Sequence, residues 1–177
     1  QGVSSAASDV YKRQGFITVK YGCADSIENA INENTAAVLI EPIQGEAGII
    51  VPPENYLPKV REICTKHNVL MILDEIQSGL GRTGKLFAFQ HACTGCDCAV
   101  NECKWQPDGL ILGKALGGGF IPVSCFLSTK EVLRNMSPGS HGSTFGGNPL
   151  ASAIGKRSLE LLYAVSYTHL RAHETRG

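Results

Sequence analysis

Short runs of apolar residues alternate with amphipathic stretches along most of the chain. Continuous apolar runs with polar flanks predict buried strands, at residues 16–20, 36–43, 69–73, 110–112 and 123–127. Apolar positions at helical spacing predict helices, at residues 25–31 and 54–67, from a capping box of Ser128 and Glu131 to about residue 136, and from Pro149 with Leu150, Ile154 and Leu161 on its apolar face. This alternation is typical of an α/β fold in which helices flank a mostly parallel sheet.

The two ends of the chain differ from the rest. Residues 1–14 and 165–177 follow neither a helical nor a strand period, and we interpret them as linker- or adapter-like tails that are not native. A chain of 177 residues with 43% apolar residues can bury a core. We therefore expect one folded unit over residues 15–164, as an internal piece of a longer protein.

The charge of the chain argues against two classes of partner. Its 16 basic residues balance 16 acidic ones, whereas proteins that bind nucleic acid or a membrane surface usually carry a basic excess. No apolar run approaches the roughly 20 residues that span a bilayer, and no signal-peptide pattern opens the sequence. We expect an intracellular protein, of the cytoplasm or the mitochondrial matrix, with neither nucleic acid nor membrane as a partner.

Two chemically capable side chains follow predicted strands. Asp74 comes directly after the run 69–73, and Lys114 comes shortly after the run 110–112. Open parallel sheets bind ligands outside the carboxyl ends of their strands. Asp74 could meet a cationic ring nitrogen there, Gln77 could bond a ring oxygen, and Lys114 could act as a nucleophilic amine. The plainer interpretations are a helix cap or ion pair for Asp74 and a surface position for Lys114.

The segment 141–149, HGSTFGGNP, combines hydroxyl groups and glycines with the start of a helix. Backbone N–H groups and the hydroxyls of Ser143 and Thr144 at such a turn suit a phosphate group. An ordinary capped loop explains the same composition equally well.

Four of the seven cysteines cluster in one stretch, at Cys93, Cys96, Cys98 and Cys103. An odd number of cysteines without a secretory signal favours reduced thiols. Four thiolates could hold a structural zinc, but this spacing does not form two well-separated CxxC pairs. It favours a surface loop of free thiols, or an error in the sequence, over a metal site.

Four strings, in this order and spacing, resemble the class III (subgroup II) aminotransferases, which depend on pyridoxal 5′-phosphate (PLP). They are EPIQGEAG at 41–48, LDEIQSGLGRTG at 73–84, GKAL at 113–116 and HGSTFGGNP at 141–149. The resemblance covers about residues 15–164. It implies part of the large domain of a fold-type I PLP-dependent transferase. Within the class, GEAGIIVPP and PGSHGSTFGGNPL are most similar to the ornithine-specific members.

The resemblance implies that five residues bind the cofactor. Lys114 would hold PLP covalently and later move a proton between substrate and cofactor, while Asp74 would keep the pyridine nitrogen protonated. Gln77 would bond the phenolic oxygen of the ring. Thr144, with Ser143 beside it, would bind the phosphate across the interface of a homodimer with a shared active site.

On the substrate side, the resemblance implies that Glu46 holds an arginine and that Glu41 supports the same motif. It implies transfer of the δ-amino group of ornithine to 2-oxoglutarate, with acetylornithine as an alternative donor that the glycine run 117–119 slightly favours. The family's phosphate loop, ring-stacking aromatic residue and substrate arginines have no counterpart here. We therefore expect this chain alone to be inactive, because a complete site supplies much of the rate. An inactive truncated homologue and a zinc-binding module are the remaining alternatives.

Overall fold

A computed structural model of the chain describes residues 15–93 and 102–164. Its centre is a four-stranded sheet whose strands lie side by side in chain order: β1 (Ala37–Ile40), β2 (Leu70–Asp74), β3 (Gly109–Leu112) and β4 (Cys125–Ser128). β1, β2 and β3 are parallel, with Ile72 opposite Gly109, whereas β4 runs antiparallel to β3, with Leu112 opposite Cys125. The predicted α/β fold with a mostly parallel sheet is confirmed.

Helices connect the strands and cover the sheet. They are α1 (Ala24–Ala30), α2 (Tyr56–Lys66), α3 (Lys130–Leu133) and α4 (Pro149–Ala164), with 3₁₀ helices at Ala88–Ala92 and Lys114–Gly117. α2 packs one face into the core, because its buried residues recur at helical spacing: Tyr56, Leu57, Val60, Ile63 and Cys64. They meet Met71 and Leu73 of β2 in a single hydrophobic cluster. Within the two described ranges, no helix is long and apolar enough to cross a membrane.

Asp108 fixes the start of β3. Its carboxylate accepts hydrogen bonds from Arg61 Nη1 of α2 and from the backbone N–H of Met71, both at 2.7 Å. The Asp108 N–H donates in turn to the Met71 carbonyl oxygen at 2.8 Å. One half-buried carboxylate thereby joins α2, β2 and the entry to β3.

The predictions for residues 16–20 and for the cap and end of the helix after β4 are wrong. Residues 16–20 form no strand, since Phe16 is 78% exposed and has no sheet neighbour to cover it. The helix after β4 is capped by Thr129 rather than Ser128, because Ser128 is the last residue of the strand. The Thr129 hydroxyl accepts from the N–H of Val132 at 3.3 Å, and the helix ends at Leu133, earlier than predicted.

α4 packs through two small residues and two leucines that differ from the leucines of its predicted apolar face. Ala151 and Gly155 are the buried residues of this helix. Gly155 lies beside the second 3₁₀ helix, where a Cβ would make an ordinary contact with the Leu116 carbonyl oxygen at 3.7 Å. Leu150 and Leu161 are 63% and 48% exposed. The hydrophobic pattern therefore predicted the helix correctly, but Leu159 and Leu162 pack against the core in place of Leu150 and Leu161.

A disulfide joins Cys93 to Cys103. The prediction of free, reduced thiols is therefore wrong for these two residues, and with both sulfurs in the disulfide the less favoured four-thiolate zinc site is excluded as well. Both are buried in the hydrophobic core, which brings their sulfurs together despite the intervening residues. Cys96 and Cys98 lie outside the described residues. Among the residues that are described, no group of three or more His, Cys, Asp or Glu could hold a metal ion.

Candidate active site

The carboxyl ends of the parallel strands bring several candidate residues to one edge of the sheet. Glu41 follows β1, Asp74 ends β2, and Lys114 follows β3 after one glycine. Asp74 is opposite Ile111 in the register of β2 and β3, shortly before Lys114 in the chain. Open α/β sheets bind their ligands at this edge.

The Lys114 amine lies between the side chains of Gln77 and Glu46, which were both predicted from the sequence to belong to the site. Its Nζ donates a hydrogen bond to Gln77 Oε1 at 2.8 Å and is 3.6 Å from Glu46 Oε1. The lysine side chain is 52% exposed, so a ligand can reach it. Its backbone has a φ of 42°, in the left-handed region that disfavours residues with a Cβ by roughly 1–2 kcal/mol. Strain of this kind is often found at functional sites.

Asp74 is half-buried and already bonded to its own turn. Its Oδ1 accepts a hydrogen bond from the backbone N–H of Ile76 at 3.0 Å. This local bond fixes the carboxylate at the end of the strand. Since an ionised carboxylate accepts at both oxygens, Asp74 retains the capacity to accept from a cationic partner as well.

A tight turn after β1 presents Glu46. The Glu41 carboxylate accepts a hydrogen bond from the N–H of Gly45 at 3.1 Å, while Tyr21 Oη donates toward the carbonyl oxygens of Glu41 and Pro42, at 3.1 and 3.0 Å. Burial is the main cause of a raised pKa for Tyr21, so this hydroxyl stays a neutral donor. Glu41 is therefore a structural anchor of the turn that carries Glu46.

Ser143 and Thr144 lie on an exposed turn. The Ser143 hydroxyl accepts from the N–H of Gly146 at 3.1 Å, which makes it a cap of its own loop. In the part of the chain that the structure describes, no hydrogen bond or ion pair links either residue to Lys114. The structure thus groups Lys114, Gln77 and Glu46 but leaves this pair apart from them.

A cavity of about 540 Å³ adjoins Lys114, lined also by Ile76, Gly113 and Ser124. A second, more apolar groove of about 570 Å³ lies on the other side of Phe120, against α4. Phe120 lines both spaces and is 87% exposed. Lys114 is the candidate residue that lines the first cavity.

Glu75 is a buried acid that the sequence analysis missed. It is 1% exposed, and its two carboxylate oxygens accept from the N–H groups of Ala88 and Phe89 at 2.7 and 2.8 Å. Burial raises the pKa of Glu75 to about 7, although these two hydrogen bonds act in the opposite direction. Its position beside Asp74, in a pair of acids ending a buried strand, was the available signal. Glu75 ties the first 3₁₀ helix to the strand end that carries Asp74.

Comparison with known sequences identifies the family. The family described as Aminotransferase class-III matches residues 11–173. The chain is 54% identical over 166 residues to ornithine aminotransferase 2 of Staphylococcus saprophyticus, covering 90% of this chain and 39% of that protein. It is 58% identical over 148 residues to ornithine aminotransferase 2 of Staphylococcus aureus, covering 84% and 35%. The chain thus spans between about a third and two fifths of the length of these curated relatives.

Solved structures agree with the sequence matches. Ornithine δ-aminotransferase of Plasmodium falciparum superposes with a TM-score of 0.76 at 43% identity, covering 84% of this chain and 36% of that one. Acetylornithine aminotransferase of Elizabethkingia anophelis superposes with a TM-score of 0.75 at 47% identity, covering 85% and 35%. The mixed sheet and its helices are therefore part of a fold-type I PLP-dependent transferase, and the chain belongs to the class-III aminotransferases.

Proposed function

We propose that the protein containing this chain moves the δ-amino group of L-ornithine to 2-oxoglutarate, giving glutamate semialdehyde and glutamate. The observation that carries the proposal is the 2.8 Å hydrogen bond from Lys114 Nζ to Gln77 Oε1, at the sheet edge where Asp74 ends β2. Relatives named ornithine aminotransferase, at 54% and 58% identity, support ornithine as the amino donor.

The side chains at this edge fit PLP chemically. When bound, PLP supplies an electron-accepting ring that stabilises negative charge on the carbon next to the transferred nitrogen. It needs an amine for its aldehyde carbon, a carboxylate for its ring nitrogen and a polar partner for its phenolic oxygen. Lys114, Asp74 and Gln77 provide these groups, and the cavity of about 540 Å³ beside Lys114 has room for a small aromatic ring.

In the proposed reaction, Lys114 moves the proton. Its free amine would take a proton from the substrate carbon that bears the amino group and would deliver it to the aldehyde carbon of PLP, as a positioned general base and acid. Gln77 orients the amine through the hydrogen bond to Nζ. Asp74 would keep a proton on the ring nitrogen of PLP through its remaining acceptor capacity.

Glu46 acts on the substrate side in this proposal. Its carboxylate is 87% exposed beside Lys114, so a substrate ammonium or an arginine from another part of the protein can reach it. Pairing with an arginine in one half-reaction and releasing it in the other would let the same site accept two different substrates. Glu41 supports this role by anchoring the turn.

Ser143 and Thr144 are proposed to bind the cofactor phosphate of a neighbouring subunit in a homodimer. Their exposure and their separation from Lys114 support a partner outside the chain. We also propose an intracellular protein whose residues 1–14 and 165–177 are not native. Acetylornithine is the second candidate donor, since an acetylornithine aminotransferase is 47% identical.

Borohydride reduction in the presence of PLP, followed by peptide mapping, tests the cofactor assignment. The complete protein should carry the label on Lys114, and Lys114→Arg should lose it together with at least ~10²-fold of the activity, whereas Lys59→Arg on the exposed surface should change neither. Label on another lysine would overturn the assignment. Parallel assays with ornithine and acetylornithine separate the two donors. The 177-residue chain alone should not turn over, and measurable transamination by it would refute that expectation.

A further inference from the structure

Gly45 lies directly against the carboxamide of Gln77. A Cβ on Gly45 would be 2.5 Å from Gln77 Oε1 and 2.6 Å from its Nε2, which is much closer than carbon approaches these atoms in folded proteins. Gly45 is not among the residues with positive φ, so its backbone conformation does not require glycine. What the glycine supplies is room for the Gln77 carboxamide.

The turn that carries Gly45 is held in place on both sides. The Glu41 carboxylate accepts from the Gly45 N–H at 3.1 Å. Gln44 and Ile50 exchange two backbone hydrogen bonds at 3.1 Å, and the N–H of Gly48 donates to the Gly45 carbonyl oxygen at 3.0 Å. Because both its N–H and its carbonyl oxygen are hydrogen-bonded, Gly45 is held in a fixed position against the Gln77 carboxamide.

We propose that Gly45, anchored by Glu41, is a positioning residue that sets the place of the Lys114 amine through Gln77. Gly45 lies against the Gln77 carboxamide. Lys114 Nζ donates a hydrogen bond to Gln77 Oε1 at 2.8 Å. The importance of this arrangement for transamination rests on the proposed function. The arrangement itself is a property of the free protein and can be tested without any cofactor.

Gly45→Ala is the central variant. The new methyl group meets the end of a flexible side chain, which can swing away, so the fold should persist while the carboxamide leaves Lys114 Nζ. The amine then loses its hydrogen bond to Gln77 but keeps the Glu46 carboxylate at 3.6 Å, and it should react faster by roughly three- to tenfold, the factor that one hydrogen bond represents. Competitive trace acetylation of the cofactor-free protein, read out at Lys114 by peptide mapping, measures this rate. Gly155→Ala is the matched control, because its Cβ has ordinary contacts with Leu116 and should leave the Lys114 rate unchanged.

A double-mutant cycle separates displacement of Gln77 from general loosening of the turn. Gln77→Ala alone should raise the Lys114 acetylation rate by the same factor as Gly45→Ala. Adding Gly45→Ala to Gln77→Ala should change nothing further, because no carboxamide remains to be displaced. Multiplicative effects of the two changes would overturn the proposal.

Glu41 supplies an independent test should Gly45→Ala not fold. Glu41→Gln keeps an oxygen that accepts from the Gly45 N–H and should leave the Lys114 rate within about twofold, whereas Glu41→Ala should raise it. Equal rates for these two variants would contradict the anchoring role. Failure of borohydride labelling at Lys114 with the acetylation pattern intact would remove the proposed function and leave the positioning role standing. Unchanged acetylation of Lys114 in Gly45→Ala, together with normal borohydride labelling, would remove the positioning role and leave the proposed function standing.

Discussion

Replacing Glu75 by glutamine tests whether burial of this carboxyl group makes the fold pH-dependent. The group is 1% exposed, and burial raises its pKa from the ordinary 4.5 to about 7. At about 1.4 kcal/mol per pH unit, this rise corresponds to roughly 3 kcal/mol. Below pH 4.5 the carboxyl is protonated in both folded and unfolded chains. As the pH rises toward 7 the unfolded chain releases the proton first, so the folded state loses up to that amount of stability.

Urea unfolding of the chain, followed by far-UV circular dichroism at half-unit steps from pH 4.5 to 8, measures the effect. The free energy of unfolding of the unsubstituted chain should fall across this interval. That of Glu75→Gln should lack the contribution of this group, and the difference between the two curves should change by roughly 3 kcal/mol. The other titratable groups are common to both chains, so their contributions cancel in the difference.

The substitution Glu75→Gln also lowers the free energy of unfolding by an amount that does not depend on pH. Its amide oxygen can accept from one of the two N–H groups, of Ala88 or Phe89, but its NH₂ faces the other and leaves it unpaired. This costs about 1–3 kcal/mol at every pH and does not alter the slope. If both chains show the same pH dependence, Glu75 is ionised throughout, its two hydrogen bonds outweigh burial, and the reasoning is refuted.

Three further changes probe packing and cross-links. Gly109→Ala should destabilise the chain by about 1–3 kcal/mol in urea unfolding, because its Cβ would be 2.6 Å from the ring of a phenylalanine on β4; equal stability of Gly109→Ala and Gly155→Ala would contradict this. Asp108→Ala should cost about 3 kcal/mol, since it leaves a mostly buried arginine and a backbone N–H without their acceptor; a loss below about 1 kcal/mol would show that water replaces it. A reductant should lower stability by about 2–3 kcal/mol through opening of the Cys93–Cys103 disulfide, and the double serine variant should show no further loss on reduction.

The hydrophobic pattern was sufficient for most of the fold. The runs at 69–73 and 110–112 became β2 and β3, and the residues at helical spacing in 54–67 became the buried face of α2. These elements were predictable because their apolar residues all pack into the same hydrophobic core. The run at 16–20 has similar composition but no sheet neighbour. A local sequence pattern does not show which segments will lie next to each other in the fold.

The candidate site was predictable where it follows from strand ends and failed where it depends on packing. Asp74 and Lys114 were placed correctly at one edge because parallel strands bring their carboxyl ends together. The burial of Glu75 and the demand for glycine at position 45 depend on Phe89 and Gln77, which approach from other parts of the chain. The pairing of Cys93 with Cys103 likewise depends on how the core brings the two residues together.

The left-handed backbone of Lys114 lowers the stability of the fold at this position. With a φ of 42°, the lysine is less favourable than glycine by roughly 1–2 kcal/mol, so stability alone would replace it. A lineage that had lost the chemistry would be free to drift toward glycine or asparagine here and would gain stability by doing so. Replacing Lys114 by glycine should therefore raise the stability of the chain while removing the amine.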